Sequence, residues 1–358
     1  MFTTASTWRS AGTFTKGAIL LAVLAALGLS ACGAPRARAV PQVPDLAWPQ
    51  PPEEARIRYE GSVSTPADLA IERNFLQKAV DWLKGAGQVS MISPYGVLSD
   101  PDGRLFVADT QAGAVHVFDT VRGRYRRFPD RKHAMQSPVG IAVSGDRVFV
   151  SDSGAGKVLV FENLGESRAT ELGEGVLKRP TGLALNPRSS ELLVVDTLLS
   201  GILRFDLSTL AYKGILSGGG QAAGKLHYPT QVAVAPNGNI VVSDSLNFRV
   251  QVFSADGSFL REFGGAGDSP GRFARPRGVA VDSEGHIYVV DALFDNVQVF
   301  DEEGRLLLAF GSHGNGPGEF WLPAGIFIDS TDRIYVSDSS NHRVQVFRYL
   351  GANRKALP

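Results

Sequence analysis

The chain has 358 residues, 36 basic and 36 acidic side chains, a formal net charge of +0 and one cysteine. That length suits one large all-β domain or two ordinary ones, the even charge supplies no global basic field for nucleic acid, and a lone cysteine forms no internal disulfide. The 40 glycines point to many turns, and a hydrophobic content of 44% is enough for a core.

Arg9 and Lys16 precede the apolar run "GAILLAVLAALGLSA" at 17–31. A basic stretch followed by an apolar one too short for a comfortable membrane span reads as an export signal. It ends in Leu29-Ser30-Ala31-Cys32, which resembles the bacterial lipobox. The resemblance implies cleavage after residue 31 and lipidation of Cys32; the alternative is an ordinary signal peptide with a chance cysteine. The placing of the sole cysteine at the cleavage point favours a membrane-anchored lipoprotein. Gly33 after Cys32 further implies the periplasmic face of the outer membrane in a Gram-negative bacterium. Loss of residues 1–31 removes two basic side chains and no acid, which takes the net charge from zero to −2.

Residues 32–54 carry Pro35, Pro41, Pro44, Pro49, Pro51 and Pro52 and form an extended spacer between lipid and domain. The folded domain is expected over 55–350, with 351–358 as a tail. Residues 55–63, "ARIRYEGSV", read as a strand. Over 66–87, Leu69, Phe75, Leu76, Val80 and Leu83 fall near helical spacing and Gly85 makes a stop, so one amphipathic helix is expected. Its polar face is mixed in sign rather than basic, which favours packing on the domain over lying on a membrane surface.

From about residue 94 the chain cycles through one pattern. A Pro-x-Gly opens an apolar strand, a compact turn follows, and a β-branched run ends in Asp. These residues are Asp109, Asp152, Asp196, Asp244, Asp291 and Asp338, and nine positions after each stands a Phe, from Phe118 to Phe347. "VSDSLNFRVQVF" at 242–253 returns as "VSDSSNHRVQVF" at 336–347. A period of 40 to 50 residues with about four short strands per copy signals blades that stack around an axis, because one such sheet cannot bury both its faces alone. The core "D-S-x-N-x-R-V-Q-V-F" and the opening "GRFARPRG" at 271–278 resemble NHL repeats. The match spans 94–350 and is degenerate in the first three copies, which lack the Asn and Arg after the Asp. The resemblance implies an all-β, six-bladed β-propeller. The last copy stops at its third strand, so residues 56–63 are expected to supply the fourth, closing the ring and covering an open edge.

Recurrence separates residues that serve the blade from residues that serve a ligand. The six Asp residues recur in every copy, and each is expected to accept backbone N–H groups at a turn rather than to hold a metal. The Gly-rich crossovers lack the strand–loop–helix setting of a phosphate loop. Positions that differ between copies are the candidates. The middle residue of the opening is Tyr95, Val139, Thr181, Thr230, Arg277 or Ala324, and Gln231 replaces the otherwise constant Gly. With the turns after the Asp residues and the crossovers on one face, that face should gather Tyr95, Gln231, Arg249, Arg275, Arg277, Phe294, Trp321, His342 and Arg343. Arginine mixed with aromatic side chains is typical of binding hot spots; for Arg249 and Arg343, pairing with a nearby Asp weighs equally.

The reading is therefore a binding or scaffold module for an envelope protein, peptide or glycan, with the membrane engaged only through lipid. No catalytic set, no cofactor and no nucleic-acid partner is expected. Propellers resembling NHL repeats include a zinc-dependent amidating lyase, lactonase-like enzymes with calcium, and RNA binders. A metal-dependent lyase or lactonase with Ca or Zn in the channel is thus the alternative. Against it, of the six histidines only His227, His313 and His342 could share the top face, in unrelated repeat positions. Against RNA stands the charge of −2 in an exported protein.

Overall fold

A computed structural model describes residues 43–69 and 90–351. Six antiparallel sheets make six blades, each running from an innermost strand outward. The innermost strands are Pro94–Ser99, Pro138–Ser144, Pro180–Asn186, Pro229–Val234, Pro276–Val281 and Pro323–Ile328. In every blade the opening Pro pairs with the repeat Asp that ends the second strand, for example Pro94 with Asp109 and Pro323 with Asp338. The second strands are runs such as "IVVSD" and "IYVVD", buried at every residue. β-branched and aromatic side chains on both faces suit a strand covered from both sides. Fourth strands such as Tyr212–Ser217 are mostly exposed, as the rim of the disc requires.

The core lies between blades. Six apolar clusters sit at the six successive junctions. Phe106 and Val117 of blade one meet Ile141 and Val150 of blade two. At the closing junction, Tyr335 and Val344 of blade six meet Val97 and Val107 of blade one. A fully buried Phe or Val contributes roughly 1.5–3 kcal/mol relative to exposure, so each junction is a substantial share of the stability.

The openings explain their glycines. A Cβ on Gly96 would stand 2.1 Å from the carbonyl oxygen of Val139 in the next blade; for Gly140 the oxygen is that of Thr181, at 2.2 Å, and for Gly325 that of Tyr95, at 2.2 Å. Around the axis, the innermost backbones approach too closely for any side chain at this position. Blade four departs from the rule. There Gln231 pairs with Ser243, whereas in the other blades the ladder resumes one residue later, as at Val97 or Val279.

Residues from before the repeats close the ring. Ile57–Val63 pairs antiparallel with Arg343–Tyr349, with Ile57 opposite Tyr349 and Val63 opposite Val344. Glu60 anchors the seam by accepting from Arg333, at 2.8 Å, and from Arg348. Blade six has a fifth strand that the sequence did not suggest. Ala47–Trp48 pairs with Ile57 and Arg58, and Trp48 packs 5.9 Å from both Phe310 and Phe347. The folded unit therefore begins inside the Pro-rich stretch rather than at residue 55. Of the helix expected over 66–87, Pro66–Leu69 forms a single 3-10 turn, with the Asp68 carboxylate accepting from the backbone of Ser64 and Thr65 at 2.8 Å. Residues 70–87 lie outside the described residues, as do the signal peptide, Cys32 and residues 352–358 of the tail.

Candidate ligand-binding mouth of the channel

The turns after each repeat Asp and the crossovers into each Pro share one face, the top. Each Asp is buried there and holds its own blade's opening. Asp109 accepts from the backbone of Ile92, Ser93 and Ala112 at 2.6, 3.0 and 2.9 Å. Asp152 does the same for Gln136 and Ser137, Asp196 for Lys178 and Arg179, and Asp291 for Ala274 and Arg275. Burial acts to raise the Asp109 pKa, but hydrogen bonds from His116 and those three N–H groups outweigh it and hold the carboxyl at about 2. His116 is spoken for as well, between Tyr125 and Asp109.

Arg249 and Arg343 belong to this framework rather than to an open surface. The side chains are 11% and 12% exposed. Arg249 donates to Asp244 at 2.9 Å and to the carbonyls of Ala222 and Lys225. Arg343 donates to Asp338 at 2.8 Å and to the carbonyls of Asn315, Gly316 and Glu319. All three nitrogens of each guanidinium are engaged, Arg249 also with Glu262 of its blade's fourth strand at 2.8 Å, so each ties the crossover loop to the blade. Of the two roles weighed for these arginines, the geometry is that of the Asp pair. His342 takes a left-handed backbone and reaches across the closing junction to the carbonyl of Ile92.

The remaining candidates fall in two places. Tyr95, Gln231 and Arg277 line a concavity on the axis together with Val139, Thr230 and Ala324. It is a shallow concavity of about 340 Å³ when the open solvent at its mouth is counted in. The Arg277 guanidinium lies 5.9 Å from the centre of the Tyr95 ring, within reach of a cation–π contact. The Thr230 hydroxyl donates to the Arg277 carbonyl at 2.8 Å, which fixes that backbone. Thr181, in contrast, is turned away from the mouth and bonds Thr197. One residue before the repeat Asp, Ser151 bridges Gly140 and Thr181; Ser243 and Ser337 hold the same station and have no partner among the described residues.

Arg275, Phe294 and Trp321 lie outside the mouth, on the surrounding rim. Here the structure adds residues that sequence reasoning passed over. Leu198, Leu246 and Leu293, each two positions after a repeat Asp, are 51%, 46% and 55% exposed. With Ile92, Tyr228, Trp321 and Leu322 they make seven of the fourteen large hydrophobic side chains exposed among the described residues. All seven are on the top face, in blades three to six and at the start of blade one. The comparison between blades that singled out Arg277 applies equally at this position and would have found the three leucines.

Among the described residues, no group of three or more His, Cys, Asp or Glu side chains is placed to hold a metal ion. His286 pairs with Asp282 at 2.9 Å and its pKa is raised mainly by that hydrogen bond. It belongs to the turn between Pro276–Val281 and Ile287–Asp291, on the face opposite the mouth.

Residues 226–253 match the NHL repeat, and residues 283–351 match a family described as 6-bladed beta-propeller. No curated protein matches the chain. Among solved structures, an auxiliary nutrient binding protein from Bacteroides thetaiotaomicron is similar with a TM-score of 0.58 and 13% identity, covering 72% of this chain and 69% of that one. An auxiliary nutrient binding protein from Bacteroides ovatus has a TM-score of 0.57 and 14% identity, with coverage of 72% and 69%. Virginiamycin B lyase from Staphylococcus aureus has a TM-score of 0.51 and 13% identity, with coverage of 72% and 95%. At these identities the likeness is one of fold. The fold is thus shared with proteins named for binding and with one named as a lyase.

Proposed function

We propose that the chain is a lipid-anchored envelope propeller whose top face binds a protein, peptide or glycan partner. The observation that carries this reading is the gathering of seven exposed apolar side chains on one face, around a polar mouth. Exposed apolar side chains gathered on one face mark interaction surfaces, and Trp, Tyr and Arg are the side chains that anchor partners. The structural likeness to proteins named for nutrient binding is compatible with such a role. Anchoring at Cys32 supplies the place: the Pro-rich stretch spaces the propeller from the lipid, on the periplasmic face of the outer membrane of a Gram-negative cell.

Two experiments test the reading. In-cell cross-linking is run on the parent and on a Leu246→Asp/Leu293→Asp variant, both of which expose their mutated positions to solvent and should fold alike. A partner captured by the parent and lost from the variant supports top-face binding; equal capture sinks it. Cys32→Ser should move the protein from the membrane to the soluble fraction. Unchanged retention would overturn the anchor.

A further inference from the structure

We infer that the channel mouth is a carboxylate-binding site, with Arg277 as its cation and Gln231 as a second donor. The inference rests on the top face being a binding surface and names the chemical group the mouth takes. Three observations carry it. The Arg277 guanidinium has no hydrogen-bond or ion-pair partner among the described residues, although the side chain is half-buried and lines the concavity. Its sister arginines show the contrast, since Arg249 and Arg343 are each fully engaged. The second observation is Gln231 itself. It stands where five blades have glycine, lines the same concavity, and none of its side-chain atoms is hydrogen-bonded among the described residues. The third is the space between. Ala324, on the blade between Arg277 and Tyr95, is small and buried, so the guanidinium can lean across it over the Tyr95 ring.

A guanidinium held over an aromatic ring with its fork free can take a planar oxyanion through two parallel N–H groups. The charge balance selects among oxyanions. One cation and neutral donors line the concavity, with no second basic side chain and no acid, which matches a monoanionic carboxylate better than a phosphate dianion. The carboxylate can arrive as a free organic acid or at the end of a peptide whose body lies on the apolar rim; the chemistry at Arg277 is the same.

The test is calorimetric titration of the full chain in detergent with acetate, N-acetyl-phenylalanine, N-acetyl-phenylalaninamide and inorganic phosphate. The expected result is saturable binding of the two carboxylates and none of the amide. Arg277→Gln should weaken carboxylate binding at least tenfold and Arg277→Lys several-fold, while Arg305→Gln, in a third-to-fourth strand turn on the opposite face, stays within twofold. Both Arg277 variants should melt within a degree or two of the parent without ligand, which separates loss of the site from loss of the fold. Tighter binding of N-acetyl-phenylalanine than of acetate assigns the site to peptide ends, and equal binding assigns it to small acids. Equal binding of acid and amide, undiminished binding by Arg277→Gln, or phosphate binding tighter than either carboxylate would overturn the inference. Failure of the top-face reading is seen separately: carboxylates would still bind, but the Leu246→Asp/Leu293→Asp variant would capture the same partners as the parent.

Discussion

The α-carbon of Gly325 in the last blade faces the carbonyl oxygen of Tyr95 in the first, and a Cβ placed on it would stand 2.2 Å away. The same relationship joins Gly96 to Val139 and Gly140 to Thr181, so neighbouring innermost strands meet backbone against backbone around the axis. Gly325→Ala must therefore push two blades apart at the junction where the ring closes. The expected cost is that of overpacking a tight core, about 1–3 kcal/mol. Gly218 has a permissive backbone and nothing within 4 Å of such a Cβ, so Gly218→Ala should fall within about 0.5 kcal/mol of the parent. Urea unfolding of the two variants checks the contrast; equal midpoints would mean the blades give freely at the axis.

The buried Asp109 carboxylate ties the stability of blade one to acid pH. The Asp109 pKa is held at about 2 in the folded chain, below the ordinary value near 3.9. A depressed folded pKa contributes stability that is fully present above the unfolded value and is lost as pH falls through the folded one. For Asp109 that window runs from about pH 4 down to about 2. Thermal melts across it should fall steeply for the parent and less steeply for Asp109→Asn. The same slope in both would remove Asp109 from the account of acid stability.

Arg343 and Arg275 look alike in sequence, each a basic residue on the top face, and should behave oppositely. Arg343 is bonded to a fully buried Asp338, so Arg343→Ala removes the cation from a buried carboxylate that keeps hydrogen bonds from Trp321, Asn341 and Gln345, a loss of roughly 1.5–3 kcal/mol. Arg275 is exposed and engages its neighbours only through backbone, and Arg275→Ala should cost about 0.5 kcal/mol or less. Differential scanning calorimetry decides it. An Arg343→Ala melt at the parent temperature would return Arg343 to the free surface.

What the sequence shows clearly is what the blades repeat. The Asp-to-Phe spacing fixes the second and third strands, and six copies imply six blades, because each residue at such a position meets the same neighbours. Ring closure by residues 56–63 is legible for the same reason, since the strand resembles other fourth strands. Arg249 and Arg343 are ambiguous, because recurrence gives the position but not whether a guanidinium is spent. Arg277 and Gln231 stand out by breaking the repeat, and Leu198, Leu246 and Leu293 could have been found that way. The strand Ala47–Trp48 could not: two residues carry no alternation, and only the three-dimensional arrangement of Phe310 and Phe347 gives Trp48 its place.

That N-terminal piece is the most economical test of closure. Ile57, Tyr59 and Val63 are 0%, 5% and 2% exposed, and each loses roughly 1.5–3 kcal/mol of burial if its strand is absent. The bare edge of Arg343–Tyr349 would then be unpaired along its length. Summed, this is on the order of the whole stability of an ordinary domain, about 5–15 kcal/mol. A chain lacking residues 1–63 should therefore fail to melt cooperatively or should aggregate through that edge. Trp48→Ala keeps the closing strand and removes only the cover over Phe310 and Phe347, so it should melt cooperatively and lower the stability by about 1–3 kcal/mol. The order of the two variants is the informative readout. If the truncation melts with the parent, the seam is not what holds blade six; if Trp48→Ala is as damaging as the truncation, the outermost strand, not Ile57–Val63, is the latch of the ring.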